Sequence, residues 1–159
     1  DAGITELLSP QSATGLTAGE PVSIRVRNCG SQTVSNIPVS YTLNNGSPVF
    51  GMISGPVEPE TEITYTFGQT ADFSSTGNYE LLVGVNLPGD ESVANDFITF
   101  GISHYNSVVN MDNSIVTACS GLFYDAGGAN ANYCDSDTLT CTFFPASGLP
   151  KASIEFRFD

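Results

Sequence analysis

Short runs of alternating apolar and polar residues, each closed by a cluster of turn formers, fill the first hundred or so positions of the chain. Alternation with a period of two puts successive side chains on opposite faces, so the pattern predicts half-buried antiparallel strands and almost no helix. Six runs stand out. They are Ile4–Leu8, Val22–Val26 with Ser23 and Arg25 on the polar side, Val39–Leu43, Ile63–Phe67, Tyr79–Leu87 and Phe97–Ile102. Between them, Asn44-Asn45-Gly46 tolerates the positive φ of a tight hairpin, and Pro88-Gly89-Asp90 suits a turn between two strands. Thr17 to Pro21 and Pro56 to Glu60 are polar connections whose prolines need not donate to a ladder. Tyr41, Tyr65 and Tyr79 fall in strand patterns and are expected to pack in the core. The predicted fold is all-β, an antiparallel sandwich over residues 1–102.

After that the pattern loosens. From Ser103 to Thr117, Asn, Ser and Asp interrupt short apolar pairs, as in a linker. Residues 118–159 begin rich in small residues, with Gly121, Gly127 and Gly128, and then show strand-like runs at Thr138–Phe144 and Ala152–Phe158. Some forty residues cannot normally bury enough apolar surface to fold alone, so this second unit is expected to lean on the first domain, on a continuation of the chain or on another chain. An unpaired final strand would invite strand addition by other domains of the polypeptide or by neighbouring chains. The start at Asp1 without Met and the end inside a strand-like run read as an excised or processed piece.

Composition narrows the function classes. Hydrophobic residues make up 40% of the chain, enough for a real core. Seventeen acidic residues against four basic ones give a net charge of −13, which repels phosphate backbones and anionic lipid, so no nucleic-acid partner is expected. No run approaches the length of a membrane span, and no membrane insertion is expected. Of the four cysteines, Cys119, Cys134 and Cys141 lie close together and are the disulfide candidates, which points to an oxidising, extracellular or cell-surface setting. Fourteen residues separate Cys119 from Cys134 and six separate Cys134 from Cys141, without the CxxC or CxxH pairs of a zinc site. Sequence leaves three pairings open. Cys119 with Cys134 would close the glycine-rich loop, Cys134 with Cys141 would close a hairpin, and Cys29 would reach across domains or remain a buried thiol; the first is preferred.

The run DAGITELLSP, then GEPVSIRVRNCGSQTVSNIPVSYTLNNGSPV, then YELLVGVNLPGDESVANDFITF resembles the CARDB-like immunoglobulin-type domains of secreted multidomain bacterial proteins, notably those of Bacteroidetes. The resemblance rests on the x-V-R-N-x-G pattern at Val26 to Gly30 and the G-D-x-x-x-x-N-D pattern at Gly89 to Asp96. It implies an immunoglobulin-like antiparallel sandwich over residues 1–102 with a spacer or adhesive role, and transfers no catalytic residue. The tail, Cys119 to Gly128, then Asn132-Tyr133, TLTCTFFP and IEFRFD, resembles the opening half of a CUB-like jelly-roll domain of the same proteins. This chain ends where that family continues with its main calcium carboxylates, so the resemblance carries over no metal site; Asp125 is the one acidic residue to nominate, with a turn role preferred. Asp137-Thr138-Leu139 resembles the O-glycan acceptor of Bacteroidetes, making Thr138 a glycosylation candidate.

Candidate chemistry is sparse. His104 is the single histidine, and no G-x-S-x-G, H-E-x-x-H or Cys-His arrangement occurs. Glu58 with Glu60 and Asp135 with Asp137 are carboxylate pairs in turn-rich stretches, where solvated surface charge is the expected role. Asp90, Glu91, Asn95 and Asp96 could present oxygens to a cation, but not at EF-hand spacing, and a polar hairpin flank is preferred. Asn45-Gly46-Ser47 fits a sequon followed by an unfavourable Pro48. Without tryptophan, a sugar-binding platform is disfavoured. The expectation is therefore no catalytic residue, no cofactor and no metal, in a non-catalytic structural or adhesive module of a larger secreted or surface protein. Two alternatives are an accessory region of a secreted hydrolase, most plausibly a peptidase, and a surface protein that self-assembles through its strands.

Overall fold

A computed structural model describes residues 1–111, 115–117, 121–125, 127–128 and 139–144. The chain divides into two compact units, Asp1–His104 and Tyr105–Asp159. The first is a sandwich of two antiparallel sheets. β1 (Ala2–Ser9), β3 (Ser23–Asn28) and β6 (Glu62–Thr66) form a three-stranded sheet in the order β1-β3-β6. β2 (Ala13–Thr14), β4 (Ile37–Leu43), β5 (Val49–Ile53), β7 (Gly77–Val85) and β8 (Phe97–Tyr105) form a five-stranded sheet in the order β2-β8-β7-β4-β5.

Alternation decides which side of each strand is buried. On β3, Ile24, Val26 and Asn28 point inward while Ser23, Arg25 and Arg27 point out; on β4 the inward set is Ile37, Val39 and Tyr41. β7 contributes Leu81, Val83 and Val85, and β8 contributes Ile102. The expected tyrosine packing is observed: Tyr41 and Tyr65 meet the Phe67 ring edge-on at centroid distances of 4.9 and 5.1 Å, and Tyr79 lies against Phe73 at 4.8 Å.

Three strands are too few to cover five, and the β6–β7 connection makes up the difference. Phe67, Ala71 and Phe73 from this segment are all buried. The Tyr41 hydroxyl donates to the Gln69 and Thr70 carbonyls, both at 3.1 Å, and Phe73 N–H donates to the Thr17 carbonyl. A loop that would otherwise run over the surface thus has its polar backbone satisfied and its aromatic residues in the core.

The turns follow their residues. Asn44 and Asn45 both adopt positive φ, and Gly46 N–H closes onto the Leu43 carbonyl at 2.8 Å, the primed turn that suits a hairpin. Pro88 and Gly89 occupy the centre of a turn closed by Asp90 N–H on Leu87 O, with Gly89 at φ 81°.

Most strand boundaries shift by one to three residues from the sequence expectation, and two elements of the first unit are new. Val22 and Phe67 lie just outside β3 and β6 and bond to one another, Phe67 N–H to Val22 O at 2.9 Å; β7 stops at Val85, short of Leu87; β8 runs on to Tyr105. β2 is two residues long and below the resolution of any pattern. β5 was not predicted because its large apolar residues, Phe50 and Met52, face solvent, which inverts the expected alternation. As an edge strand it is partly closed off: Met52 N–H donates to the Tyr65 hydroxyl at 3.3 Å, and the Tyr65 ring lies where a Cβ on Gly51 would sit.

In the second unit, β9 (Val108–Asn110) pairs in parallel with β11 (Leu122–Tyr124), and β10 (Ile115–Val116) with β12 (Thr142–Phe143). β9 and β10 fall within the stretch whose composition reads as a linker, because their β-branched pairs find partner strands. Of the run expected at Thr138–Phe144, Thr142 and Phe143 form strand; Ala152–Phe158 lies outside the described residues.

Phe73→Ala is expected to lower the stability of the first unit by about 3–5 kcal/mol in urea unfolding followed by circular dichroism. A loss below about 1 kcal/mol would mean that the β6–β7 segment is not part of the core.

Candidate functional site

The two sequence patterns of the first unit, Val26 to Gly30 and Gly89 to Asp96, come together around the start of β1. Asn28, at the end of β3, is wholly buried; its amide donates to the Gln32 carbonyl at 2.8 Å and the Val57 carbonyl at 2.9 Å, and its carbonyl accepts from Gly30 N–H at 3.0 Å. The turn so fixed presents the Cys29 and Gly30 N–H groups to the Asp1 carbonyl at 2.9 and 3.2 Å. Gly30 has no room for a Cβ, which would fall 2.9 Å from the Asp1 nitrogen.

The β7–β8 connection grips the same segment from the other side. Ala2 N–H donates to Asp90 Oδ2 at 2.9 Å, Ser92 N–H donates to Asp90 Oδ1 at 2.9 Å, and Ile4 N–H donates to the Asn95 carbonyl at 3.2 Å. The Asn95 amide donates to Asp1 Oδ1 at 3.0 Å and crosses Gly3, where a Cβ would collide with it. Burial pushes the Asp90 carboxyl up, but its backbone N–H partners outweigh this and hold it below the ordinary carboxylate value. The polar flank expected at Asp90 to Asp96 is thus a clamp on β1.

Asp96 behaves differently. It is buried, and its Oδ1, like that of Asn95, makes no hydrogen bond within the chain. Burial, and then the neighbouring charge of Asp90, push its carboxyl above the ordinary value.

His104 is also committed. Its Nδ1 lies 2.7 Å from the Phe73 carbonyl, and its Nε2 accepts from Gly15 N–H at 3.2 Å. A carbonyl oxygen only accepts and an N–H only donates, so the ring is the neutral Nδ1–H tautomer, tying the β6–β7 segment and the chain after β2 to β8. Glu58 accepts from the Thr33 hydroxyl at 2.6 Å, whereas Glu60 pairs with Arg27, so the two carboxylates serve separate partners. Arg25 bridges Glu6 at 2.6 Å and Glu62 at 3.7 Å.

Cys29 is a free thiol but an exposed one, not the buried thiol the sequence suggested, because it follows the last inward position of β3, Asn28. Cys119, Cys134, Thr138, Asp135 and Asp137 lie outside the described residues, and Cys141 is half-buried just before β12. Asp125 is exposed and accepts from Gly127 N–H at 2.8 Å while its carbonyl accepts from Gly128 N–H, so it makes a turn. Asn45 to Ser47 form the exposed tip of the β4–β5 hairpin. Among the described residues no three His, Cys, Asp or Glu side chains converge in a metal-binding arrangement, and no helix is long and apolar enough to cross a membrane. Sequence reading passed over Asn28 and Gly3; the V-R-N-x-G pattern was the one signal for Asn28, and Gly3 carried none beyond its place in the DAGITELLSP run.

The sandwich is a known fold. The chain is similar to the solution structure of a domain (residues 272–376) of a candidate cell-surface protein from Methanosarcina acetivorans, with a TM-score of 0.53 and 18% identity over 67% of this chain and 92% of that one. It also matches a CARDB domain from Pyrococcus furiosus in two structures. One is a crystal structure in complex with di-metal ions, with TM-score 0.45 and 18% identity over 65% of this chain and 92% of that one. The other is a solution structure, with TM-score 0.48 and 19% identity over 65% and 94%. No protein-family model and no curated protein matches the chain.

Two predictions follow from the geometry. Asn28→Ala takes the side-chain donor from the Gln32 carbonyl and removes one of two partners from the Val57 carbonyl and the Gly30 N–H, which keep Val34 N–H and the Asp1 carbonyl, and is expected to cost about 1–3 kcal/mol in urea unfolding; a near-neutral result would remove Asn28 from the clamp. Because the Asp96 carboxyl is raised in the folded state, the folded chain binds that proton more tightly than the unfolded chain. The stabilisation is complete below the ordinary value, 3.8, and is lost as pH rises through the folded value. Asp96→Asn should abolish that fall in a series of urea midpoints from acid to neutral pH, and an unchanged slope would contradict it.

Proposed function

We propose that the chain is a non-catalytic structural and adhesive module of a larger secreted or cell-surface bacterial protein, spacing its neighbours or presenting a surface to a partner. One observation carries this reading: the single histidine, the Asp90 carboxylate and the buried Asn28 amide are spent on holding backbone. Both ring nitrogens of His104 bond to main chain, both Asp90 oxygens accept main-chain N–H groups, and all three polar contacts of Asn28 are to main chain. A general base or ligand needs a free lone pair directed at a reactant, and these are directed inward. The sandwich shared with a domain of a candidate cell-surface protein supports the placement outside the cell. The second unit is the opening of a CUB-like domain in this reading, with Cys119, Cys134 and Cys141 as its disulfide cysteines.

An antibody raised against the first unit is expected to label intact source cells or their medium. Signal confined to permeabilised cells would place the protein inside and sink the proposal.

A further inference from the structure

The outer face of the five-stranded sheet carries apolar surface that the sandwich does not use. Register sets Met52 beside Pro38, and lines up Phe50, Ser40, Gly84 and Phe97 in one row across β5, β4, β7 and β8. The next row holds Thr42, Leu82 and Thr99. Phe50 is 77% exposed, Phe97 55%, Met52 49% and Leu82 39%, although each sits on a strand whose opposite side chains are in the core. The Phe97 ring lies over Gly84, where even a Cβ would collide with it, so the ring is laid onto the sheet and held there. At about 4.8 Å between strands, the row from Phe50 to Phe97 spans about 14 Å. Four large apolar side chains gathered on one pleated face are a docking signature, not the scatter normal on a surface.

Charge selects the occupant. Glu80 is the one charged residue on the outward side of these strands. The first unit as a whole has eleven Asp and Glu, Glu80 among them, against Arg25 and Arg27, and both arginines lie on the outer side of the other sheet, paired with Glu6, Glu62 and Glu60. A second copy would set acid against acid, whereas a basic surface would be drawn in and held in register. We propose that this face docks a protein partner that presents an apolar ridge flanked by lysine or arginine. The inference rests on the reading of the chain as an interaction module and names the face and the chemistry it takes.

The test is a titration of the ¹⁵N-labelled full chain with a peptide of alternating Lys and Val, set beside Lys–Ser and Glu–Val peptides of equal length. The Lys–Val peptide is expected to shift the amides of Ser40, Phe50, Leu82 and Phe97, and to half-saturate at a concentration about tenfold below the Lys–Ser peptide. Phe50→Thr with Met52→Thr, both solvent-facing, should remove most of that response and leave the remaining spectrum in place. Equal binding of Lys–Ser would reduce the effect to diffuse charge attraction, and equal binding of Glu–Val would remove the charge argument; either overturns the proposal. Shifts of the same amides with protein concentration alone would make the occupant a second copy and overturn it as well. Surface labelling of intact cells is read separately, so failure here is distinct from failure of the module reading.

Discussion

A three-stranded sheet has to keep water off one face of a five-stranded sheet, and most of what is unusual in the first unit answers to that mismatch. Strand pairing alone leaves part of the inner face around Tyr41, Tyr79 and His104 without a facing strand. The β6–β7 connection is drawn across it, with Phe67 and Phe73 as its apolar fill. Burying a loop is costly unless its carbonyls and N–H groups find partners. Here Tyr41, His104 and the Thr17 carbonyl supply them, which is why the single histidine and a core tyrosine sit where they do.

The same logic reaches the edge of the molecule where β1 begins. Its first residues are gripped from two loops distant in sequence, one organised by Asn28 and the other by Asp90 and Asn95. Asp96, beside them, is left with an oxygen that the chain does not satisfy. The clamp therefore contains opposed titrations, a carboxyl that folding makes more acidic next to one that it makes less so.

Six of the strands were legible because apolar and polar positions alternate along most of their length, with β1 bulged between Ile4 and Glu6 and β7 buried on both sides at Val83 to Val85, and their turns because Asn44-Asn45-Gly46 and Pro88-Gly89 leave few conformational choices. What was not legible depends on partners remote in sequence. β5 hides because Phe50 and Met52 break the rule that apolar side chains point inward. Phe73 hides because nothing local marks a loop residue as core. The Gly89 to Asp96 pattern was readable as a flank or a cation loop, since the N–H groups that use its oxygens belong to Ala2 and Ser92, and the former lies some ninety residues away. In the second unit the signal is weaker still: its described strands have two or three residues each and pair in parallel, an arrangement that short alternating runs do not announce.

The contact between the Tyr65 hydroxyl and the Met52 N–H has a bearing on how such units live side by side. Modules strung along one polypeptide face each other at effective concentrations near millimolar, where a bare edge strand would zip onto its neighbour. A phenol reaching over from the opposite sheet occupies a donor that such a neighbour would need, and at the far edge β2 offers only two residues to pair with. The five-stranded sheet therefore offers a neighbouring strand an occupied donor at one edge and two residues at the other, so it is poorly extended from either side.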